Sequence, residues 1–296
     1  MKLRKSTLGL LGAAHLVAAT AVFAEEAAGP TGPLDISNFS MTLWGTTEYM
    51  FRGISNSDGP AIQGSIDWTY NGFYLGVWGS NTEFSDEDIE IDYYGGYRWS
   101  WAGWGFDVAG LYYSFPGEDE EFDGLDPGPL ADGVTPDADY IEAQVLVSKT
   151  FEAPLSPSIA AKYNFSPDFF GEDGTAHAVQ GDVGIVAPMG FFGDVGFSAT
   201  VGWQDVEGDQ SSSTPSRPAL GLFLPDGSPL DGFDYVWWRV GAYKDIGGFK
   251  VDVSYHMTDL SDDLETLYGS FPEPSDFRDL IEPHLVLTVS RSFSFP

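Results

Sequence analysis

Cysteine is missing from the 296-residue chain, which removes disulfide frameworks, thiolate metal sites and cysteine nucleophiles together. Bases are scarce: 13 Lys and Arg stand against 45 Asp and Glu, a formal charge of -32. The clustered cations that hold nucleic-acid phosphates are therefore absent, and nucleic acid is excluded as a partner. Long apolar runs are confined to the N-terminus and the mean hydropathy is -0.12. Repeated crossing of a membrane by helices of about 20 apolar residues is excluded on that ground. Catalytic patterns are missing as well. There is no Gly-x-Ser-x-Gly elbow, no phosphate-cradling glycine loop and no HExxH, and the histidines beyond the first residues (His177, His256, His284) lack nucleophile partners at useful spacing. The expectation is a protein that is not an enzyme and carries no cofactor or metal.

What is abundant is glycine, at 36 residues, and aromatic side chains, at 15%. The first residues form an address. Lys2, Arg4 and Lys5 precede a short apolar stretch, Ser6 to Val22, and Val22-Phe23-Ala24 has the small-x-small form of a cleavage site. Residues 1–24 read as a secretory signal peptide, and its removal leaves 10 bases against 45 acids, or 10 − 45 = −35. Residues 25–38, rich in Gly, Pro and acids, read as a flexible lead-in.

From Phe39 onward the hydrophobic period is two. Phe39, Met41, Leu43, Gly45, Thr47, Tyr49 and Phe51 share one face, with Trp44, Glu48 and Arg52 on the other. Val195, Phe197, Ala199, Val201 and Trp203 alternate in the same way, as do Phe249, Val251, Val253, Tyr255 and Met257. Such alternation is the mark of strands, whose successive side chains point to opposite faces. It predicts twelve strands, beginning near residues 39, 61, 73, 89, 104, 140, 158, 177, 194, 234, 249 and 281. The connections alternate in length. Five are short, among them Asn71-Gly72, a type I′ turn signal. Six are long, at 53–60, 82–88, 116–139, 167–175, 206–232 and 260–280.

A meander with one plain end and one elaborate end is how transmembrane β-barrels are built. A soluble sandwich would use the same alternation with its apolar face inward. Strands of nine to eleven residues suit a tilted bilayer crossing instead. Aromatic residues gather at strand ends, as in Phe39 with Tyr49 and Phe51, Trp68 with Tyr70, Tyr97 with Trp99, and Phe293 with Phe295. Such girdles belong at membrane interfaces. The expected fold is an all-β, twelve-stranded antiparallel up-and-down transmembrane β-barrel over 39–296. It would lie in the bacterial outer membrane, both termini periplasmic and the long loops extracellular. Its partners would be outer-membrane lipid and lipopolysaccharide, small solutes, and the assembly machinery that reads a C-terminal strand such as Leu285 to Phe295. Nothing in the sequence sets the oligomeric state.

The stretch TEYMFRGISNSDGPAIQGSIDW (Thr47 to Trp68), followed by GFYLGVWGSNTEF (Gly72 to Phe84), IEIDYYGGY (Ile89 to Tyr97) and FDVAGLYYSFPG (Phe106 to Gly117), resembles the TorF family of porin-type proteins. Tyr49, Phe51, Arg52, Gly53, Asp58 and Gly64 match its recognisable positions. The resemblance implies a secreted outer-membrane barrel with a channel role and supplies no catalytic residues. The acidic insertion at 116–139 and the Pro-rich loop at 206–232 depart from it.

Twelve strands about 4.8 Å apart and tilted about 40° give a backbone radius of roughly 12 Å, which inward side chains must narrow. By parity the inward acids are Glu48, Asp67, Glu90, Asp92, Asp107, Glu142, Asp182, Asp194 and Asp252, and the inward bases are Arg52, Arg98, Lys162, Arg239 and Lys250. Nine acids against five bases predict a cation-preferring pore wall. The same charges, paired between strands, would instead brace a closed barrel. Trp44, Trp78, Tyr94 and Trp237 also point inward, as an aromatic constriction or as filling. Loop 116–139 carries nine acids and no base, but Leu130 stands where a calcium loop needs its closing Glu. It reads as a solvated acidic loop.

Overall fold

A computed structural model describes residues 32–57, 59–82, 89–116, 139–169, 174–209, 231–261 and 281–295. The signal peptide and the acidic stretch 117–138 lie outside the described residues. In chain order the strands are β1 (Phe39–Thr46), β2 (Met50–Phe51), β3 (Ile54–Ser55), β4 (Ala61–Tyr70), β5 (Phe73–Asn81), β6 (Ile89–Trp101), β7 (Trp104–Ser114) and β8 (Tyr140–Thr150). They continue as β9 (Ser158–Ser166), β10 (Ala176–Pro188), β11 (Asp194–Asp209), β12 (Asp231–Ile246), β13 (Phe249–Leu260) and β14 (His284–Ser294). Of these, β1 and β4 to β14 form one closed antiparallel barrel of twelve strands, each paired with its sequence neighbours. Closure is made by β1, which pairs with β4 on one side (Thr46 opposite Ala61) and with β14 on the other (Trp44 opposite Ser290). That closure decides between barrel and sandwich, because none of the twelve strands keeps a free edge.

The alternation read from the sequence sorts the two faces as a membrane barrel needs. Outward positions such as Ile66, Leu75, Val183, Val240 and Leu285 are exposed, Leu285 to 71%, and apolar. Many inward positions, among them Glu90, Asp92, Tyr113, Glu142 and Arg239, are polar or aromatic and buried. An apolar exterior around a polar interior reverses the soluble pattern and fits lipid as the outer solvent. Aromatic pairs mark the girdle: Trp68 stacks with Tyr70 at 6.3 Å between ring centroids, and Tyr97 with Trp99 at 5.9 Å. Arg291, on the outward face of β14, lays its guanidinium 4.9 Å from the Phe249 ring centroid and 5.1 Å from that of Phe293. That is the posture of a cation at an interface. Before β1, Asp35 caps a single 3-10 turn, Ile36–Asn38, and the Trp68 indole donates to the Pro33 carbonyl at 2.6 Å.

Asn71 and Gly72 have φ of 50° and 87°, the pair of positive values a type I′ turn requires. A Cβ on Gly72 would meet the Arg98 carbonyl oxygen at 2.7 Å. Gly72→Ala is accordingly expected to cost about 1–3 kcal/mol, seen as an earlier midpoint of urea unfolding in lipid vesicles.

The structure corrects one reading. The alternation through Tyr49 and Phe51 predicts that the first strand continues outward-facing to residue 51, with both rings in the girdle and the loop outside. Strand β1 stops at Thr46 instead, because β4 begins at Ala61 directly opposite it. The described residues 47–57 turn into the barrel, and β2 and β3 form a small hairpin there. Tyr49 is buried to 1% exposure. Burial of its ring and of the Arg52 charge partners outweighs continuing a strand that has lost its neighbour.

Candidate functional site: a hairpin folded into the barrel

The inserted hairpin has Arg52 and Gly53 at its tip, with φ of 45° and 86°, again a type I′ turn. It is tied to itself first. The Asn56 backbone N–H donates to the Tyr49 carbonyl at 2.7 Å, and the Tyr49 N–H donates to the Ser57 hydroxyl at 2.9 Å. Glu48 accepts from the Ser55 hydroxyl and from the Gly59 N–H, which closes the base of the hairpin.

It is then tied to the wall on several sides. The Tyr49 hydroxyl donates to Glu90 Oε2 on β6 at 2.6 Å, and its ring meets Trp78 of β5 edge-on at 5.5 Å. Arg52 crosses to β8, where Nη2 lies 2.7 Å from both oxygens of Glu142, and to β11, where Nη1 donates to Gln204 at 2.9 Å. The Gly53 carbonyl accepts from Thr258 Oγ1 of β13 at 2.6 Å. Gly53 also has no room for a side chain, since a Cβ would meet Trp237 Cβ at 2.5 Å and Thr258 Oγ1 at 2.6 Å. One short segment thus reaches β5, β6, β7, β8, β11, β12 and β13 around the circumference, near the end that carries the long connections.

Glu142 is further held by Asn164 Nδ2 at 2.9 Å and by the Tyr113 hydroxyl at 3.0 Å. Tyr113 in turn stacks on Tyr140 at 4.3 Å. Two oxygens receiving this many donors make Glu142 a satisfied buried carboxylate, which is what an internal ion pair requires. Asp92 is the contrast. It is 0% exposed, and no described residue donates a hydrogen bond to either of its oxygens.

Below the hairpin two inward ion pairs link neighbouring strands, and other inward acids are held by neutral donors. Arg98 Nε donates to Asp107 at 2.7 Å while its guanidinium lies 3.7 Å from the Tyr74 ring centroid. Tyr74 donates to the other oxygen of Asp107 at 2.8 Å. Arg239, 2% exposed, holds both oxygens of Asp252 at 2.7 and 2.8 Å and donates to Ser198 at 2.7 Å. Asp182 accepts from Thr200 at 2.7 Å and from Gln180 at 3.0 Å, and Asp67 accepts from Ser65 at 2.7 Å and from Tyr94. His256 shares a 3.0 Å hydrogen bond with Ser254.

Strand parity puts these side chains on the inner face, where the structure has them, but it does not bring them together. Trp78 and Trp237 meet the hairpin, Tyr94 lies lower beside Tyr74 and Asp67, and Trp44 packs partly buried against the inner cluster. The four aromatics are thus spread along the barrel instead of forming one ring. Parity misses Tyr49 as an inward residue altogether, and with it Gln204, Asn164 and Thr258 as companions in the anchor. A second turn signal, Arg52-Gly53 between short apolar pairs, is the available clue.

Several solved structures are similar to the chain at low identity. One is the NanC porin, at 9% identity and a TM-score of 0.42, covering 86% of this chain and 99% of that one. Another is the monoaromatic hydrocarbon channel TodX in a deltaS2 mutant, at 10% and 0.40, covering 87% and 89%. A third is OccD3 of Pseudomonas aeruginosa, at 12% and 0.39, covering 88% and 66%. No curated protein matches. A family model described as a bacterial protein of unknown function, Gcw_chp, matches residues 27–293, and the chain belongs to that family.

Proposed function

We propose that the protein is a porin-type barrel of the bacterial outer membrane, a passive channel for small cationic or neutral solutes whose lumen is shut in this conformation by the hairpin 47–60. The carrying observation is the charged inner wall. On the wall itself Asp67, Glu90, Asp92 and Asp182 remain, against Lys162 and Lys250, after Arg52, Arg98 and Arg239 have taken Glu142, Asp107 and Asp252 as partners. An acidic wall in a low-dielectric tube focuses field on passing ions and draws cations. The resemblance of 47–117 to TorF porins supports the same reading. So does the leader-like N-terminus, which would direct export and leave the short turns periplasmic.

In a planar bilayer with a KCl gradient, openings should reverse on the cation-selective side. Neutralising Asp67 and Asp182 with Asn should reduce that selectivity at low and high salt alike, because these groups are shielded from bulk ions. An anion-selective reversal potential would refute the assignment. A second reading has its own observation. Many inward side chains, Tyr74, Tyr113, Trp237 and His256 among them, are buried, as in a filled barrel. A non-conducting structural barrel, presenting its long loops at the surface, would show no openings even without the hairpin.

A further inference from the structure

We propose that Glu90 and Asp92 share one proton, and that this proton keeps the hairpin seated in the lumen. The inference deepens the channel reading and rests on it only for its consequence, the opening of the pore. The two acids are two residues apart on the inward face of β6 and both are buried, Glu90 to 1% and Asp92 to 0% exposure. Glu90 Oε2 is taken by the Tyr49 hydroxyl of the hairpin. Asp92 has no described donor on either oxygen. A fully buried, unpartnered carboxylate beside a second carboxylate is untenable as a pair of anions, since desolvation and mutual repulsion act together. One proton between them turns the repulsion into a carboxyl–carboxylate hydrogen bond and completes Asp92.

The charged and titratable groups around the pair leave the same account. From the hairpin come Tyr49, which donates to Glu90, and Arg52, whose charge is already matched by Glu142. From β7 and β8 come Tyr113, Tyr140 and the carboxylate of Glu142, which adds repulsion toward Asp92. Lys162 of β9 has Arg52, Asp182 and Glu142 as its electrostatic partners. No described base is placed to neutralise Asp92. Raising the pH sends the proton to bulk water and leaves two adjacent anions under Tyr49. The seated state is therefore favoured below the titration of the pair and lost above it, by about tenfold for each pH unit.

The absence of native cysteine allows a direct test on the full-length protein in lipid vesicles. Ser55→Cys puts a thiol on a hairpin residue that is 0% exposed when seated, and Ser100→Cys supplies an exposed reference. The labelling rate at position 55, divided by that at position 100 to remove the thiol's own titration, should rise about tenfold per unit once the pH passes the titration of the pair. Adding Asp92→Asn or, separately, Glu90→Gln should abolish that dependence. Infrared difference spectra should show the carbonyl stretch of a protonated carboxylic acid at the pH where the hairpin is protected, and both variants should remove it. A protected hairpin without that band overturns the proposal, and so does a pH-independent labelling ratio in the parent. Either result leaves the conductance question separate, because neither readout requires an open pore.

Discussion

Replacing Arg52 by Ala is expected to destabilise the seated hairpin by about 3–5 kcal/mol, the usual consequence of removing one member of a buried ion pair. The loss comes less from the missing attraction than from what stays behind. Glu142 would keep its charge among Tyr113, Asn164 and the wall, with its two shortest bonds, both 2.7 Å to Arg52 Nη2, gone. Gln204 would lose its 2.9 Å donor at the same time. The measurable results are faster proteolysis within 47–60 and an earlier urea midpoint in vesicles. The double variant Arg52→Met with Glu142→Gln separates cause from effect. It removes both charges and keeps most of the volume, so much of the stability should return. A single variant as stable as the parent would mean that the hairpin is held by its apolar contacts alone, chiefly Tyr49 on Trp78 and Phe51 on Tyr113.

Excising the hairpin should have the largest effect on function. Thr46 and Ala61 are direct partners across β1 and β4, so residues 47–60 can be replaced by Asn-Gly as a two-residue type I′ turn without changing the register. Glu142→Gln is included so that no buried charge is stranded. In planar bilayers the parent should show rare, brief openings and the excised barrel a sustained conducting level with cation preference. The expectation follows from where the segment sits, since strands all around the circumference contact it and its removal empties that level of the lumen. Silence from a folded, heat-modifiable excised barrel would hand the case to the non-conducting reading, with the paired charges serving as internal braces.

These experiments turn on a segment that local sequence describes poorly. Up to Thr46 the alternation, the turn residues and the spacing of connections are local properties, and a strand's two faces are set by its own pleat. That is why the twelve barrel strands, the Asn71-Gly72 turn and the inward positions of Glu90, Arg98, Asp182 and Arg239 are all legible in the sequence. The two segments with apolar residues on both faces, near 104 and 158, still appear as β7 and β9 because flanking turns bound them. The inward set is likewise a matter of parity, which survives any tertiary arrangement that keeps the strands.

What parity does not contain is distance. Tyr49 and Phe51 keep the alternation of β1, so the period carries through the point where the chain leaves the barrel. Whether it leaves depends on β4 starting opposite Thr46. It also depends on partners 41, 90 and 152 residues away in sequence, at Glu90, Glu142 and Gln204. Their pairing requires the barrel to be closed first. The composition and period of two in this sequence by themselves determined twelve strands with one apolar and one acidic, polar face; closure into a barrel is a tertiary fact. Only the tertiary structure decided that the first long connection folds inward, because a buried arginine is tolerable solely where a carboxylate from another strand already waits for it.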